Sequence, residues 1–337
     1  MQLPVGASNN AFNELNEYVL KIRNMISASA ASTYIIQDGC VANEWYAGYH
    51  DKTIGSRETD VQSRFNIASI RKTFLGFAVS VALYEGRIES LDEYVTNYLE
   101  DLDELLLKDT KIRHLLTHTH GLQGSDYPLI RIFPLGTGWK YDNTGVNLLI
   151  KIVNKVFAQT LAEVIEERLF KPYGFTESGW VQEKSDKLVW LDEIYKDNQG
   201  NDANLFISTR ELAYWGYIHL TKGKVRGTQI IPSTIFEQVS SIVSTIELSE
   251  TLPRNGYFWW VQDKPQSYSE LGHQLPKNAY QSLGLYGNTV LVIPEYKVVA
   301  VRMLNQVECN PPEYDYIKDI QTFGNLVCKC MSNNSKH

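Results

Sequence analysis

The apolar positions of the chain change their period several times, and each change marks an element. Phe12, Leu15, Val19, Ile22 and Ile26 recur every three or four residues. They form one stripe of a helix that Ser8 or Asn9 can cap. Residues 32–36 and 41–48 then read as two strands around the turn Gln37-Asp38-Gly39. Asp51 to Val61 is polar and loop-like. Residues 65–86 stand apart from all of this. After a short approach strand, the pattern predicts a helix from Ser69 to Glu85, with Gly86 placed for a left-handed C-terminal cap. From Phe74 to Leu83 almost every position is apolar, and no polar face is left. A helix apolar all round belongs in the middle of a domain. Yet its first turn carries Ser69, Arg71 and Lys72.

Beyond Gly86 the stretch from Glu89 to Asp109 is acidic and reads as a solvated face, holding short helical pieces such as Leu91 to Leu99. A Gly-rich turn at Gly136-Thr137-Gly138 leads through Tyr141-Asp142-Asn143 into a helix from Gly145 to Phe157. Thr160 with Glu163, and Ser208 with Glu211, have capping-box spacing. They open helices over 161–170, closed by Pro172 and Gly174, and up to Thr221. Gly223, Gly227 and Pro232 mark a hairpin-like excursion. The aromatic run Tyr257 to Trp260 begins a strand-rich end, with strands at 288–293 and 297–304 turned at Pro294-Glu295-Tyr296. A last helix covers 315–329. There are no internal repeats and no low-complexity tract.

Composition narrows the class. The 337 residues are 43% hydrophobic and 21% charged, which suits a globular protein with a large core. A net charge of −7 argues against a nucleic-acid binder. No apolar run approaches the roughly 20 residues that a membrane span needs. No cation precedes Lys21, so a secretory n-region is not expected. Cys40, Cys309, Cys328 and Cys330 are scattered, and Cys328 and Cys330 are too close for a disulfide or zinc knuckle. The expectation is four reduced, structural cysteines in a cytoplasmic protein, unless a leader has been removed.

Two stretches carry candidate chemistry. Ser69 and Lys72 are three apart and share one helix face. A serine on a first turn sits among unpaired backbone N–H groups, where the macrodipole favours an alkoxide or oxyanion. A desolvated lysine beside it can hold the serine proton. Alone, the pair is equally compatible with an N-cap serine and a chance lysine. His114, His118 and His120 raise the second question, a zinc site. No glutamate follows the first histidine as in the zinc-protease helix, and Gly121 soon ends any helix, so hydrogen-bonded structural histidines are the expectation.

Taken in order, four pieces resemble one family. They are S-I-R-K at Ser69 to Lys72, L-L-T-H-T-H-G-L at Leu115 to Leu122, Y-D-N at Tyr141 to Asn143, and the Gly-turn-strand block around Ser282-Leu283-Gly284. With Thr144 to Leu149 and Leu205 to Thr209, they resemble the serine β-lactamase and penicillin-binding protein superfamily, in its class C and esterase-like branch. The likeness spans about residues 30 to 305.

The resemblance implies an α/β (α+β) fold. An antiparallel sheet of N- and C-terminal strands, residues 1–64 and 255–337, is covered by the terminal helices. A mainly helical subdomain, 65–254, packs beside it with the catalytic helix at the boundary. The resemblance also assigns roles. Ser69 is the nucleophile and Lys72 holds its proton. Tyr141 is a general base that returns the proton to the leaving group. Asn143 binds the substrate amide or Lys72. Ser282, Gly284 and Tyr286 line the substrate side, with an oxyanion hole from the Ser69 N–H and one N–H near Gly284 to Tyr286. No cofactor and no metal are implied. The function expected is a serine hydrolase of the β-lactamase, D-alanyl-D-alanine carboxypeptidase or esterase type, acting on a small-molecule or peptide amide or ester. The alternatives are a penicillin-binding sensor that acylates without turnover, and a zinc hydrolase using His114 and His118.

Two positions depart from the family pattern. The third motif has no cation, and His120 stands where a serine is usual. The first departure predicts that neutral esters are turned over at least as well as anionic β-lactams, unless Arg71 or Arg302 supplies the missing charge.

Overall fold

A computed structural model describes residues 1–334 apart from 7–9, 101, 125–127, 191–192, 265–268 and 307–309. Ser8, Asn9 and Cys309 therefore lie outside the described residues. Helix α1, Asn13–Met25, buries Leu15, Val19 and Ile22 on the predicted stripe. Strands β1, Ala30–Gln37, and β2, Cys40–Gly48, pair antiparallel as the hairpin pattern required. The approach strand Arg64–Asn66 leads into helix α2, Arg71–Tyr84. Helix α3 is Asn143–Phe157 and helix α4 is Thr209–Leu220. The C-terminal strands are β3, Trp260–Val261, β4, Tyr280–Gly284, β5, Asn288–Ile293, and β6, Val298–Leu304. Helix α5, Tyr316–Asn334, closes the described chain.

The six strands form one antiparallel sheet in the order β3-β4-β5-β6-β1-β2. β1 is an interior strand because β6 returns beside it, setting Tyr34 opposite Val301 and Ala31 opposite Leu304. Its alternating side chains split the core. Ala31 and Ile35 face α1 and α5, with Leu291 and Ala300 beside them. Tyr34 and Ile36 face the other way, with Val290, Val299 and Trp215 of α4. Gly216 lets α4 lie flat on that face, since a Cβ there would meet Val299 Cγ1 at 2.5 Å. The same core continues through α4 into α2 and α3. The division of the chain into a sheet part and a helical part remains our proposal about its organisation.

The surroundings of α2 explain its uniform sequence. Every residue from Arg71 to Ala82 is buried. Phe74 stacks on Trp215 at 4.5 Å between centroids and meets Phe170 edge-on, while Phe77 packs on Phe236. A fully buried Phe, Leu or Val side chain stabilises by about 1.5–3 kcal/mol, so this helix is a principal source of core stability. Gly86, at φ +67°, ends it as expected, with the Gly86 N–H donating to the Leu83 carbonyl.

Local differences have local causes. The predicted helical piece from Leu91 to Leu99 is only a short turn, Val95–Asn97. Thr160 and Glu163 form the full capping box. Ser208 caps α4 by accepting from the Glu211 N–H, but Glu211 does not reciprocate. Its carboxylate accepts from the Thr176 and Glu177 N–H groups and the Ser178 hydroxyl, tying a neighbouring strand to the helix. No helix among the described residues is long and apolar enough to cross a membrane.

Candidate active site

Ser69 sits one step earlier than the helical pattern suggests. It belongs to a 3₁₀ turn, Ala68–Ile70, that runs directly into α2. Ala68 is forced to φ +48°, a conformation costing roughly 1–2 kcal/mol for a residue with a Cβ. Asn66 compensates by accepting from the Ala68 N–H at 2.7 Å. Asn288 on β5 donates to the Asn66 carbonyl at 3.0 Å and accepts from the Leu304 N–H, so the turn is tied to the sheet. His118, Phe258 and Tyr286 also hold positive φ near this point. Such clustering of strained backbone is common where a site must be held in one shape. Neither asparagine was legible as a site residue, because the tie spans 222 residues of sequence.

Lys72 lies one helical turn beyond Ser69. Its Nζ is 2.9 Å from Ser69 Oγ and 2.8 Å from Tyr141 Oη. Tyr141 comes from the loop before α3, where Asp142 caps the helix by accepting from the Thr144 N–H. Desolvation pushes the Lys72 pKa well below its ordinary value, and the charge of Arg71 pushes it further down. Desolvation raises the Tyr141 pKa, against smaller lowering effects of Ser69 and Arg71. Burial thus biases the pair toward its uncharged forms, an amine beside a phenol. Tyr141 is 38% exposed through its ring, while its hydroxyl end is the desolvated part.

The other predicted residues fall into two groups. Gly284, at the end of β4, does border the site. A Cβ there would meet the Ile67 carbonyl oxygen at 2.4 Å, so only glycine allows the strand this close to the Ser69 turn. Ser282 is buried within β4, at the position paired with Val290, and is not among the residues lining the pocket above Ser69. Tyr286 turns away to donate to Glu193 at 3.0 Å. Asn143 begins α3, is exposed, and makes no hydrogen bond to Lys72 among the described residues.

The histidines are engaged in the scaffold. His114 Nδ1 accepts from the Lys111 N–H and His120 Nδ1 from the Leu122 N–H. Burial lowers the pKa of each to about 4. His118 packs its ring on Tyr141, Trp139 and Phe258. The unusual His120 fits because α3 presents Gly145 to it, where a Cβ would meet His120 Nε2 at 2.5 Å.

Above Ser69 opens a pocket of about 290 Å³. Trp139, Tyr141, Trp260, Glu270 and Tyr316 form its walls, and Leu283 to Leu285 its edge. Among the described residues no lysine or arginine lines it. Arg302, one candidate for a missing cation, is committed elsewhere. Its guanidinium pairs with Asp319 through two bonds of 2.8 and 2.9 Å, and its Nε donates to the Gly287 carbonyl. Arg71, the other candidate, is buried at the first position of α2 and is not among the residues lining the pocket.

A serine, a lysine and a tyrosine within hydrogen-bond reach, on an α/β scaffold with a central antiparallel sheet, define a member of the serine β-lactamase and penicillin-binding protein class. The chain belongs to the Beta-lactamase family, whose pattern it matches over residues 20–321. It is 38% identical over 332 residues to an uncharacterized protein of Alkalihalophilus pseudofirmus, covering 96% of this chain and 97% of that one. Among solved structures, a class C β-lactamase superposes with TM-score 0.76 at 15% identity, covering 96% of this chain and 98% of the other. EstCE1, described as a hydrolase with promiscuous acyltransferase activity, superposes with TM-score 0.72 at 16% identity, covering 94% and 98%.

Proposed function

We propose that this protein is a serine hydrolase that cleaves an amide or ester through an acyl-enzyme. The observation that carries the reading is the pair of short contacts from Lys72 Nζ to Ser69 Oγ and Tyr141 Oη. A neutral Lys72 amine takes the proton from Ser69 as Oγ bonds to the substrate carbonyl carbon. The oxyanion is held by the Ser69 N–H and one N–H at the end of β4. The proton then passes through the Tyr141 hydroxyl to the leaving nitrogen or oxygen, and the C–N or C–O bond breaks. Water repeats the sequence in reverse roles and frees Ser69. The low Lys72 pKa supports the lysine rather than a standing phenolate as the base.

The finer reading concerns substrate. A penicillin or peptide C-terminus carries a carboxylate beside the scissile bond, and the pocket wall offers it no cation. We therefore expect a small neutral ester to be hydrolysed with kcat/KM at least as high as a penicillin. Comparing p-nitrophenyl butyrate with nitrocefin on the purified protein tests this. A strong preference for the anionic β-lactam would contradict the substrate reading. One stoichiometric burst with neither substrate turning over would contradict hydrolysis and leave only acylation.

A further inference from the structure

We propose that the pocket above Ser69 is built to take a substrate bearing a cationic amine, held by Glu270 and the aromatic wall; this rests on the serine hydrolase reading. The wall groups are an uncommon combination. Trp139, Tyr141, Trp260 and Tyr316 supply four aromatic rings, with Lys72 Nζ already lying over the Tyr141 ring, and Glu270 is the one acidic group among the described lining residues. The Tyr141 ring stacks on Trp260 at 5.9 Å and lies 6.5 Å from Trp139, so the faces are contiguous. An aromatic enclosure attracts an ammonium or quaternary ammonium group through the ring quadrupoles. It offers nothing comparable to a carboxylate.

Glu270 adds the charge. Its backbone carbonyl accepts from Gln281 Nε2 at 2.8 Å, which fixes the residue beside β4. Its Oε2 is buried and has no hydrogen-bond partner among the described residues. A buried carboxylate oxygen without a partner is costly, and a cation brought beside it offsets that cost by charge. Burial raises the Glu270 pKa, as it must while the counter-charge is absent. Glu270 also raises the pKa of Tyr316 and Tyr141, so it acts within electrostatic reach of the catalytic group. A volume near 290 Å³ is at the small end for ligand sites and suits a compact acyl or leaving group with its amine close to the scissile carbonyl. Aminoacyl amides or esters and choline-like esters share that chemistry.

Calorimetric titration of the intact protein separates this proposal from the hydrolase reading, because it requires no turnover. The probes are butyltrimethylammonium and butyrate, titrated into wild type, Ser69→Ala and Glu270→Gln. The cation should bind wild type and Ser69→Ala at least ten-fold more tightly than butyrate, and about ten-fold more weakly to Glu270→Gln. Butyrate binding as tightly as the cation overturns the proposal. So does cation binding that is undetectable at millimolar concentration, or unchanged in Glu270→Gln. Either result leaves the hydrolase reading standing if p-nitrophenyl butyrate is still turned over. Conversely, cation binding without turnover upholds the pocket and removes the hydrolase.

Discussion

Two buried cations in this molecule live under opposite conditions. Arg302, between the sheet and α5, has its charge matched by Asp319 through two hydrogen bonds. Tyr18 and Tyr314 donate to the same carboxylate, and the Gly287 carbonyl accepts from Arg302 Nε, so each guanidinium nitrogen has a partner. Lys72, at the start of α2, finds two hydroxyl groups, the Tyr141 ring face and a second cation, Arg71, but no carboxylate partner among the described residues. Two of the Arg71 guanidinium nitrogens, Nε and Nη1, find no partner among the described residues. Burial disfavours a charge in both places. Around Arg302 the protein answers with a complete set of partners, and the arginine stays charged. Around Lys72 it withholds them, and the amine is driven toward its neutral, proton-accepting form. The same desolvation thus makes one site structural and prepares the other for acyl transfer.

That contrast can be broken first at Lys72. Lys72→Ala and Tyr141→Phe should each lower kcat/KM for a neutral ester by roughly a hundred- to ten-thousand-fold while the fold survives. The double variant should be little worse than the poorer single one, because the groups act as a unit. Circular dichroism alongside steady-state kinetics checks both points. Full activity in Tyr141→Phe would mean that the proton travels another way.

The structural side gives the next largest effect. Asp319→Ala strands a buried guanidinium and should cost about 3–5 kcal/mol in denaturant unfolding. Any loss of activity in this variant should follow the loss of folded protein. An effect below about 1 kcal/mol would show that the pair is not the buried anchor described here.

The smallest effect sharpens the comparison most. Arg71→Met removes a cation that lacks a full set of partners, so it should cost far less stability than Arg302→Met. It should also move the pH profile. Lys72 must be neutral to accept the Ser69 proton, and its pKa is depressed by desolvation and then by Arg71. In wild type kcat/KM should rise with pH as Lys72 loses its proton, at a pH well below the ordinary lysine range. Removing Arg71 raises the Lys72 pKa, so the rise should shift to higher pH. An unshifted profile would show that desolvation alone sets the lysine.

The sequence made some of this legible and hid the rest for physical reasons. Helix α2 was readable to within two residues because a nearly unbroken apolar run from Phe74 to Leu83 and a C-terminal glycine admit few alternatives. The 3₁₀ turn holding Ser69 was not, since apolar spacing does not separate a tight turn from the first turn of an α-helix. Lys72 and Tyr141 came from motif resemblance, and their contacts follow from it. Ser282 was placed at the site by the same resemblance; it is buried in β4 and is not among the pocket's lining residues, which apolar spacing could not foretell. Glu270 had no sequence signal at all. It lies in an irregular segment some two hundred residues from Ser69, and only the folding of β3 and β4 beside α2 brings it to the pocket.

The central claim is that Ser69 is the nucleophile. Treating wild type and Ser69→Ala with a fluorophosphonate, followed by intact-mass measurement and peptide mapping, tests it directly. One adduct per chain on the peptide containing Ser69, absent from Ser69→Ala, is the predicted result. An adduct on a different serine, equal labelling of the two proteins, or no labelling of wild type would contradict it.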